Sequence, residues 1–441
     1  MRWNRRGLFA MLEPVFTTAK TVEEYWPFVG EEKIQELRAL AEPLRGARVL
    51  HINATSFGGG VAEMLRILVP LMKDLGLAAE WRVIRGSEDF FSVTKAMHNS
   101  LQGMAIDWTA EMERTWLSYN DMNAELFDEP YDFVIVHDPQ PAGLLEGVLR
   151  RNGHHPLGTW LWRCHIDTSS ASPEAWDFIR PYIRLYKGAI FTRKEYVNGD
   201  LDGGPPVFTV WPAIDPLSPK NREASPEVLR KILAQYGIDP YRPILCQISR
   251  FDPWKDPLGV IDVYREVKRE VPELQLVMVG SMANDDPEGW DYYQLTVDHA
   301  GQDDDIHILC NLSDIAVGAI QQAADVVIQK SIREGFGLTV TEALWKGRPV
   351  VAGNVGGIPL QIEHGKTGFL ANTTTEYVDY VLYLLRHPEV ATEMGSRGKR
   401  SVQQNFPVTR NLADYLRILS GFNHCEDRLV VMSGTRREEV R

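Results

Sequence analysis

Little cysteine, no positive charge excess, no long apolar run and no complete dinucleotide fingerprint are found in this chain, and each shortage closes a class of function. The 4 cysteines among 441 residues, Cys164, Cys246, Cys310 and Cys425, show no paired spacing. Three of them fall inside apolar strand-like runs, so buried thiols are the simpler reading and a disulfide framework or zinc site has little support. The formal net charge of −13 argues against nucleic acid as a partner, because neutralising a phosphate backbone needs a dense basic face. Met1 to Arg6 are basic, but Gly7 to Leu12 is too short an apolar run for a signal peptide, and no later stretch could span a bilayer. A soluble cytoplasmic protein with no membrane partner is expected.

What is present is the composition of a globular chain. With 44% hydrophobic and 24% charged residues, the length suggests two or three domains and more than one core. From Arg48 onward short β-branched runs alternate with helix-period stretches, the pattern of parallel sheets covered by helices. Strands are expected at Arg48 to Asn53, Trp81 to Arg85, Asp132 to His137, Thr159 to Cys164, Ala189 to Thr192 and Val207 to Trp211. A second series is expected at Pro243 to Ser249, Gln275 to Gly280, Asp305 to Cys310, Asp325 to Gln329 and Pro349 to Gly353. Between them Pro212-Ala213-Ile214-Asp215-Pro216-Leu217-Ser218-Pro219 carries three prolines and favours an extended connection. The fold class expected is α/β, with two doubly wound Rossmann-like domains facing across a cleft. They would cover residues 1–214 and 215–405, with a helix at 406–421 crossing back to the first domain and a tail at 422–441. In such sheets ligands gather at the carboxyl ends of the strands.

Asn53-Ala54-Thr55-Ser56-Phe57-Gly58-Gly59-Gly60 follows a strand and opens an amphipathic helix from Val61 to Leu75. Glycines there leave backbone N–H groups bare at a helix N-terminus, where the dipole attracts an anion. A plain strand-to-helix turn is the alternative. A nicotinamide site is disfavoured, because the third glycine is missing and the second strand ends in Arg85-Gly86 with no acid to hold a ribose.

Two further segments carry charge suited to a sugar diphosphate. Ser249-Arg250-Phe251-Asp252-Pro253-Trp254-Lys255 follows a strand and supplies two cations able to clamp a leaving diphosphate. Alone, they would read as a solvated pair. Glu334-Gly335-Phe336-Gly337 leads into a helix expected near Leu338, and Glu342 lies in its second turn. Ala343 and Leu344 would pack inward with Glu342 at the pocket edge. An acid that merely favours the helix dipole is the competing reading.

Gly58-Gly59-Gly60, Ser249-Arg250 with Lys255, and Glu334 eight positions before Glu342 resemble the retaining glycosyltransferases of the glycogen synthase and sucrose synthase type, with the glycosyltransferase-B fold. His51-Ile52-Asn53, Phe57 to Glu63, Trp162-Arg163-Cys164-His165-Ile166-Asp167 and Arg333 to Ala343 narrow this to a resemblance to the trehalose glycosyltransferring synthases, which join nucleoside-diphosphoglucose to free glucose. The resemblance implies that Arg250 and Lys255 hold the diphosphate and that Glu342 holds the ribose. It also implies that Glu334, with the backbone of Gly335, Phe336 and Gly337, holds the donor sugar. Gly59 and Gly60 would close over the phosphates, and Cys310-Asn311-Leu312 would meet the base. His165 resembles the family's histidine near the reacting carbon, although a histidine after an apolar strand can be purely structural. Asp138 and Gln140, then Arg163 and Asp167, are secondary candidates for the acceptor.

The implied reaction is reversible transfer of glucose with retention, from a donor such as UDP-glucose or ADP-glucose to glucose, giving α,α-trehalose. A trehalose phosphorylase, using phosphate and α-glucose 1-phosphate, shares these motifs, and a sucrose-synthase-like transferase stays open. A non-catalytic sugar-nucleotide sensor is the alternative outside catalysis. No cofactor is required, with Mg²⁺ admitted as counter-ion to the diphosphate. Asp285-Asp286 and Asp303-Asp304-Asp305 sit in polar turns where acids are ordinarily solvated, so no protein metal cage is expected. The oligomeric state is left between monomer and homodimer.

Overall fold

The computed structural model describes residues 11–57, 59–127, 129–154, 156–201, 203–280 and 289–434. Gly58 and Asp285-Asp286 of the sequence reading lie outside them. The chain divides into two compact units. One comprises residues 1–56, 61–211 and 408–441, and the other comprises Phe57–Gly60 and Pro212–Pro407.

The first unit holds a seven-stranded sheet. Its strands are β1 (Glu13–Pro14), β2 (Arg48–Asn53), β3 (Ala78–Val83), β4 (Phe133–His137), β5 (Thr159–Arg163), β6 (Gly188–Phe191) and β7 (Val207–Thr209), in the order β1-β3-β2-β4-β5-β6-β7. Only β1 runs antiparallel. The second unit holds β8 (Ile244–Ile248), β9 (Gln275–Gly280), β10 (Ile306–Cys310), β11 (Val326–Gln329), β12 (Val350–Gly353) and β13 (Phe369–Ala371). Their order is β10-β9-β8-β11-β12-β13 and all pairs are parallel.

Helices on both faces explain the sequence pattern, since a strand covered on both sides reads as a continuous apolar run. Every residue of β4, β5, β8, β9, β11 and β12 is buried. Strand order reverses between β2 and β4 in the first sheet and between β8 and β11 in the second. Adjacent crossovers leave opposite faces at such points and open a crevice at the carboxyl ends.

Eleven strands expected from the sequence are present, β2 and β9 with the bounds expected and the other nine with an end moved by one to three residues. The largest shift is β3, expected at Trp81 and starting at Ala78, where pairing of Ala78 with Arg48 begins directly after the turn at Gly76. Ala78-Ala79-Glu80 are weak strand formers, so neighbouring β2 imposes the conformation. The short β1 and β13 were not read from the sequence. The last helix, Val408–Gly434, continues through the segment set apart from Phe422 onward, because it contains no proline and a single interior glycine, Gly421, costs only about 1 kcal/mol relative to alanine. It packs on helix Trp26–Ala41, where Arg417 pairs with Glu36. Among the described residues no helix is long and apolar enough to cross a membrane.

Five tryptophans, Trp81, Trp116, Trp160, Trp162 and Trp176, are among the largest fully buried side chains of the first unit. Indole N–H groups seek acceptors when buried, and two of these find them in one loop. Trp162 Nε1 donates to the Asp138 carbonyl at 3.0 Å and Trp116 Nε1 donates to the Pro139 carbonyl at 3.2 Å. The core thus holds the loop after β4 in place.

Gly158, just before β5, has φ +89° and a Cβ there would overlap the Tyr131 carbonyl oxygen. Gly158→Ala combines left-handed strain with a backbone clash. It should destabilise the protein by about 2 kcal/mol or more, read as a lowered midpoint in denaturant unfolding.

Candidate active site

In the second unit the chain leaves β8 through Ser249 and Arg250 and turns at Asp252, whose carboxylate accepts from the Lys255 backbone N–H at 3.2 Å. That cap starts the short helix Pro253–Lys255 and directs the Lys255 side chain. The carboxylate also pairs with Arg250 at 3.0 Å. Lys255 Nζ reaches Glu334 Oε2 at 2.7 Å, the two side chains being 15% and 11% exposed. Glu334 belongs to the loop after β11, so the pair joins the carboxyl ends of the two strands that flank the reversal of strand order.

One glutamine ties these loops together. Gln247 of β8 donates to the Lys255 carbonyl at 3.1 Å and accepts from the Lys330 N–H at 3.0 Å. The Ser331 hydroxyl donates to Glu334 at 3.3 Å, and the Ile332 N–H donates to the Trp254 carbonyl at 2.8 Å. Behind them Lys330 pairs with Asp256, a left-handed residue that caps helix Pro257–Glu270. Neither Lys330 nor Asp256 was given a role from the sequence, although Lys330 follows β11 directly as Ser249 follows β8.

Gly337 (φ +86°) caps helix Leu338–Trp345, which starts where expected. Gly335 is half-buried, Phe336 is buried, and Gly357 packs so closely that a Cβ on it would lie 2.7 Å from Phe336 Cα. Ala343 and Leu344 are buried as read. Glu342 differs from the expectation of a pocket-edge residue. It is 3% exposed and pairs with Lys220 at 2.7 Å, because the segment after the proline-rich connection brings Lys220 over its helix. Beside it Lys346 donates to Gln321 at 2.9 Å, and burial, opposed by the Glu342 charge, pushes this lysine down to about 8.

Asn311 follows β10 with φ +55° and donates its N–H to the Gly280 carbonyl at 2.9 Å, and Leu312 is partly buried. Gly59 (φ +103°) and Gly60 are exposed and group with the second unit. Asp303 and Asp305 are held by cations: Lys268 lies 2.6 Å and Arg242 2.6 Å from Asp305. The hydrogen bond from Arg242 holds the Asp305 carboxyl well below the usual range.

In the first unit His165 follows β5, and its backbone N–H donates to Asp138 at 2.8 Å. Asp138 has φ +67°, a conformation aspartate tolerates better than most residues. Burial pushes its carboxyl up to about 7, against the His165 hydrogen bond and the Arg163 charge, which lower it. Gln140 is partly buried, and its carbonyl accepts from Asn120 at 3.1 Å. Asp167 accepts from the Ser169 hydroxyl at 2.6 Å in a local turn.

Arg163 does not fit the acceptor role read for it. It is 0% exposed and donates to the Val210 carbonyl at 2.7 Å, because β5 lies inside the sheet between β4 and β6. His51 and His137, buried beside His165, were missed as site residues. Strand-end placement was the signal for His137, whereas His51 was read only as part of the His51-Ile52-Asn53 motif and was given no role.

Residues 51–198 match the family described as trehalose synthase, N-terminal domain, and residues 230–401 match glycosyl transferases group 1. A trehalose synthase of Rubrobacter xylanophilus is 52% identical over 417 residues, covering 93% of this chain and 99% of that protein. One from Thermococcus litoralis is 48% identical over 408 residues, covering 91% and 97%. A trehalose phosphorylase of Grifola frondosa is 29% identical over 449 residues, covering 90% of this chain and 60% of that protein. Among solved structures, an α,α-trehalose-phosphate synthase (UDP-forming) from Burkholderia vietnamiensis superposes with a TM-score of 0.67 at 13% identity, covering 86% and 100%.

The raised Asp138 carboxyl makes a pH signature. The folded state holds this proton up to about 7, whereas the unfolded chain releases it near 3.8, so between these values the native state binds more protons and this contribution to stability falls as pH rises. Asp138→Asn keeps an acceptor for the His165 N–H and cannot ionise. Its stability relative to wild type should therefore climb from pH 4 to pH 7 and then level off, as measured by urea unfolding across pH. A flat difference would refute the shift.

Proposed function

Because the chain belongs to the trehalose synthase family of glycosyltransferases and shares the glycosyltransferase-B fold, we propose that it moves glucose, with retention and reversibly, from a nucleoside-diphosphoglucose to free glucose, forming α,α-trehalose. The observation that carries this is the Lys255–Glu334 pair beside Arg250, a cation and a carboxylate at 2.7 Å where strand order reverses. A diphosphate and a hexose hydroxyl attached to each other call for such neighbours. The synthase names of the relatives support the product, and the UDP-forming synthase of like fold supports a nucleotide-sugar donor.

In this mechanism Lys255 and Arg250 receive the charge that grows on the leaving diphosphate as the glycosidic bond stretches. Their attraction is stronger in the transition state than before it, which is the condition for accelerating the step. Glu334 accepts from hydroxyls of the transferred glucose, with the backbone of Gly335, Phe336 and Gly337 beside it, and Gly59 and Gly60 offer bare N–H groups to the phosphates. Leu312 and its neighbours meet the base. Glu342 acts on the ribose through one oxygen while Lys220 holds the other. The acceptor attacks on the face the diphosphate leaves, and the diphosphate takes its proton, so no protein base is needed. Asp138, Gln140 and Asp167 are the groups proposed for the acceptor glucose. Mg²⁺ accompanies the diphosphate as a counter-ion without a protein cage.

Removal of one preorganised charge should be costly. Lys255→Ala is expected to lose roughly 3 kcal/mol of transition-state stabilisation, about a hundredfold in turnover, while Glu334→Gln should raise the KM for the sugar donor more than it weakens binding of free nucleoside diphosphate. Steady-state kinetics with nucleotide binding by calorimetry separate the two, and unchanged turnover in Lys255→Ala would remove the clamp from the mechanism.

Incubation with nucleoside-diphosphoglucoses and glucose should release nucleoside diphosphate and form a trehalase-sensitive product. Glucose 6-phosphate in place of glucose should abolish that signal. Product that forms only with α-glucose 1-phosphate and liberates phosphate would assign the phosphorylase reaction instead.

A further inference from the structure

Three histidines of the first unit stand in a line that the mechanism above does not use. His51 lies in β2, His137 ends β4 and His165 follows β5. His51 Nδ1 is 3.0 Å from His137 Nε2, and His137 Nδ1 is 3.0 Å from His165 Nε2. The rings of His137 and His165 stack at 5.3 Å and 13°. His51 and His137 are 0% exposed. Burial, then the neighbouring histidines and the Arg163 charge, keeps His137 well below the usual imidazole range, and burial alone pushes His51 down to about 3. Each ring is therefore neutral near pH 7.

A neutral imidazole has one N–H and one lone pair. His137 uses both nitrogens within the line, so it donates at one end and accepts at the other, and the N–H direction is the same along all three rings. Inward, the line would end on a His51 Nε2–H, yet that atom is buried and has no hydrogen-bond partner. Outward, the orphan at His51 is a lone pair, every inner N–H has an acceptor, and the last N–H falls on His165 Nδ1. Buried N–H groups without acceptors are rarer in proteins than buried acceptors without donors.

We propose that His51 and His137 are positioning residues that lock His165 in its Nδ1–H tautomer, making it a hydrogen-bond donor to a hydroxyl of the transferred sugar. The sugar contact rests on the glucosyl-transfer reading above; the tautomer does not. His165 then neither takes nor releases a proton during transfer, which agrees with a step in which the diphosphate accepts the acceptor's proton.

The test has two parts. Long-range ¹H–¹⁵N correlation spectra of the histidine-labelled wild-type protein without substrate, with His165 identified from the spectrum of His165→Gln, should show His165 protonated on Nδ1 and bare on Nε2. A proton on Nε2 would overturn the proposal whether or not trehalose is ever formed. His51→Leu removes the inner donor and should give a mixture of tautomers at His165. Its turnover should fall about tenfold, the worth of roughly one hydrogen bond, with the KM for the nucleotide sugar within about twofold. His51→Asn places an amide donor where Nδ1 stood and should restore most of the loss. A single unchanged tautomer together with unchanged turnover in His51→Leu would sink the positioning role. A confirmed tautomer in a protein that makes no trehalose would fault only the glucosyl-transfer reading.

Discussion

Lys255 and Glu334 are 79 residues apart in the chain and 2.7 Å apart in space. Their contact exists because β8 and β11 are hydrogen-bonded parallel neighbours, so the loops that leave them emerge on the same side. Much of the second unit serves that geometry: Asp252 caps the turn bearing Lys255, Ser331 contacts Glu334, and Gln247 bonds to both loops. In a mostly buried setting the attraction between such charges is far stronger than in bulk water. A diphosphate arriving beside Arg250 would therefore compete with Glu334 for Lys255, which couples anion binding to whatever the carboxylate holds.

Around the ends of β4 and β5 the first unit follows a different electrostatic rule. Where the loops after β8 and β11 collect charges and pair them, the ends of β4 and β5 collect histidines and an aspartate that burial disfavours in their charged forms. Its three aligned histidines are far from their ordinary titration range, and the Asp138 carboxyl is raised toward neutrality beside them. Two indoles rooted in the core hold the loop that carries Asp138. Neutral groups fixed in direction suit hydroxyl-rich ligands, since an uncharged donor or acceptor orients a sugar without strongly shifting its protons.

Much of the framework was legible because both signals were local. Continuous apolar runs such as those of β8, β9 and β11 mark buried parallel strands, and glycine before Leu338 marks a helix start. Arg250, Lys255 and Glu334 stand after such runs, but alone the two cations read as a solvated pair, and the roles expected of all three came from the resemblance to a known family. The errors arose where a distant segment decides a residue's surroundings. Glu342 reads as an edge residue until Lys220 closes over it, and Arg163 reads as a ligand group until β5 proves to be an interior strand. The continuation of the last helix past Phe422 was hidden by a polar composition that does not by itself stop a helix.

By itself the sequence determined the α/β class, the alternation that makes both sheets parallel apart from the edge strand β1, and the strand-end positions of the chemical residues, because hydrophobic period and glycine placement act over a few residues at a time. Only the tertiary structure decided which strand ends are neighbours, and hence which charges meet. It paired Lys255 with Glu334 and Lys220 with Glu342, and it lined up His51, His137 and His165. The physical reason is that strand order is set by packing of helices over whole sheets, and the direction of an N–H along three imidazoles depends on what lies beyond the last of them.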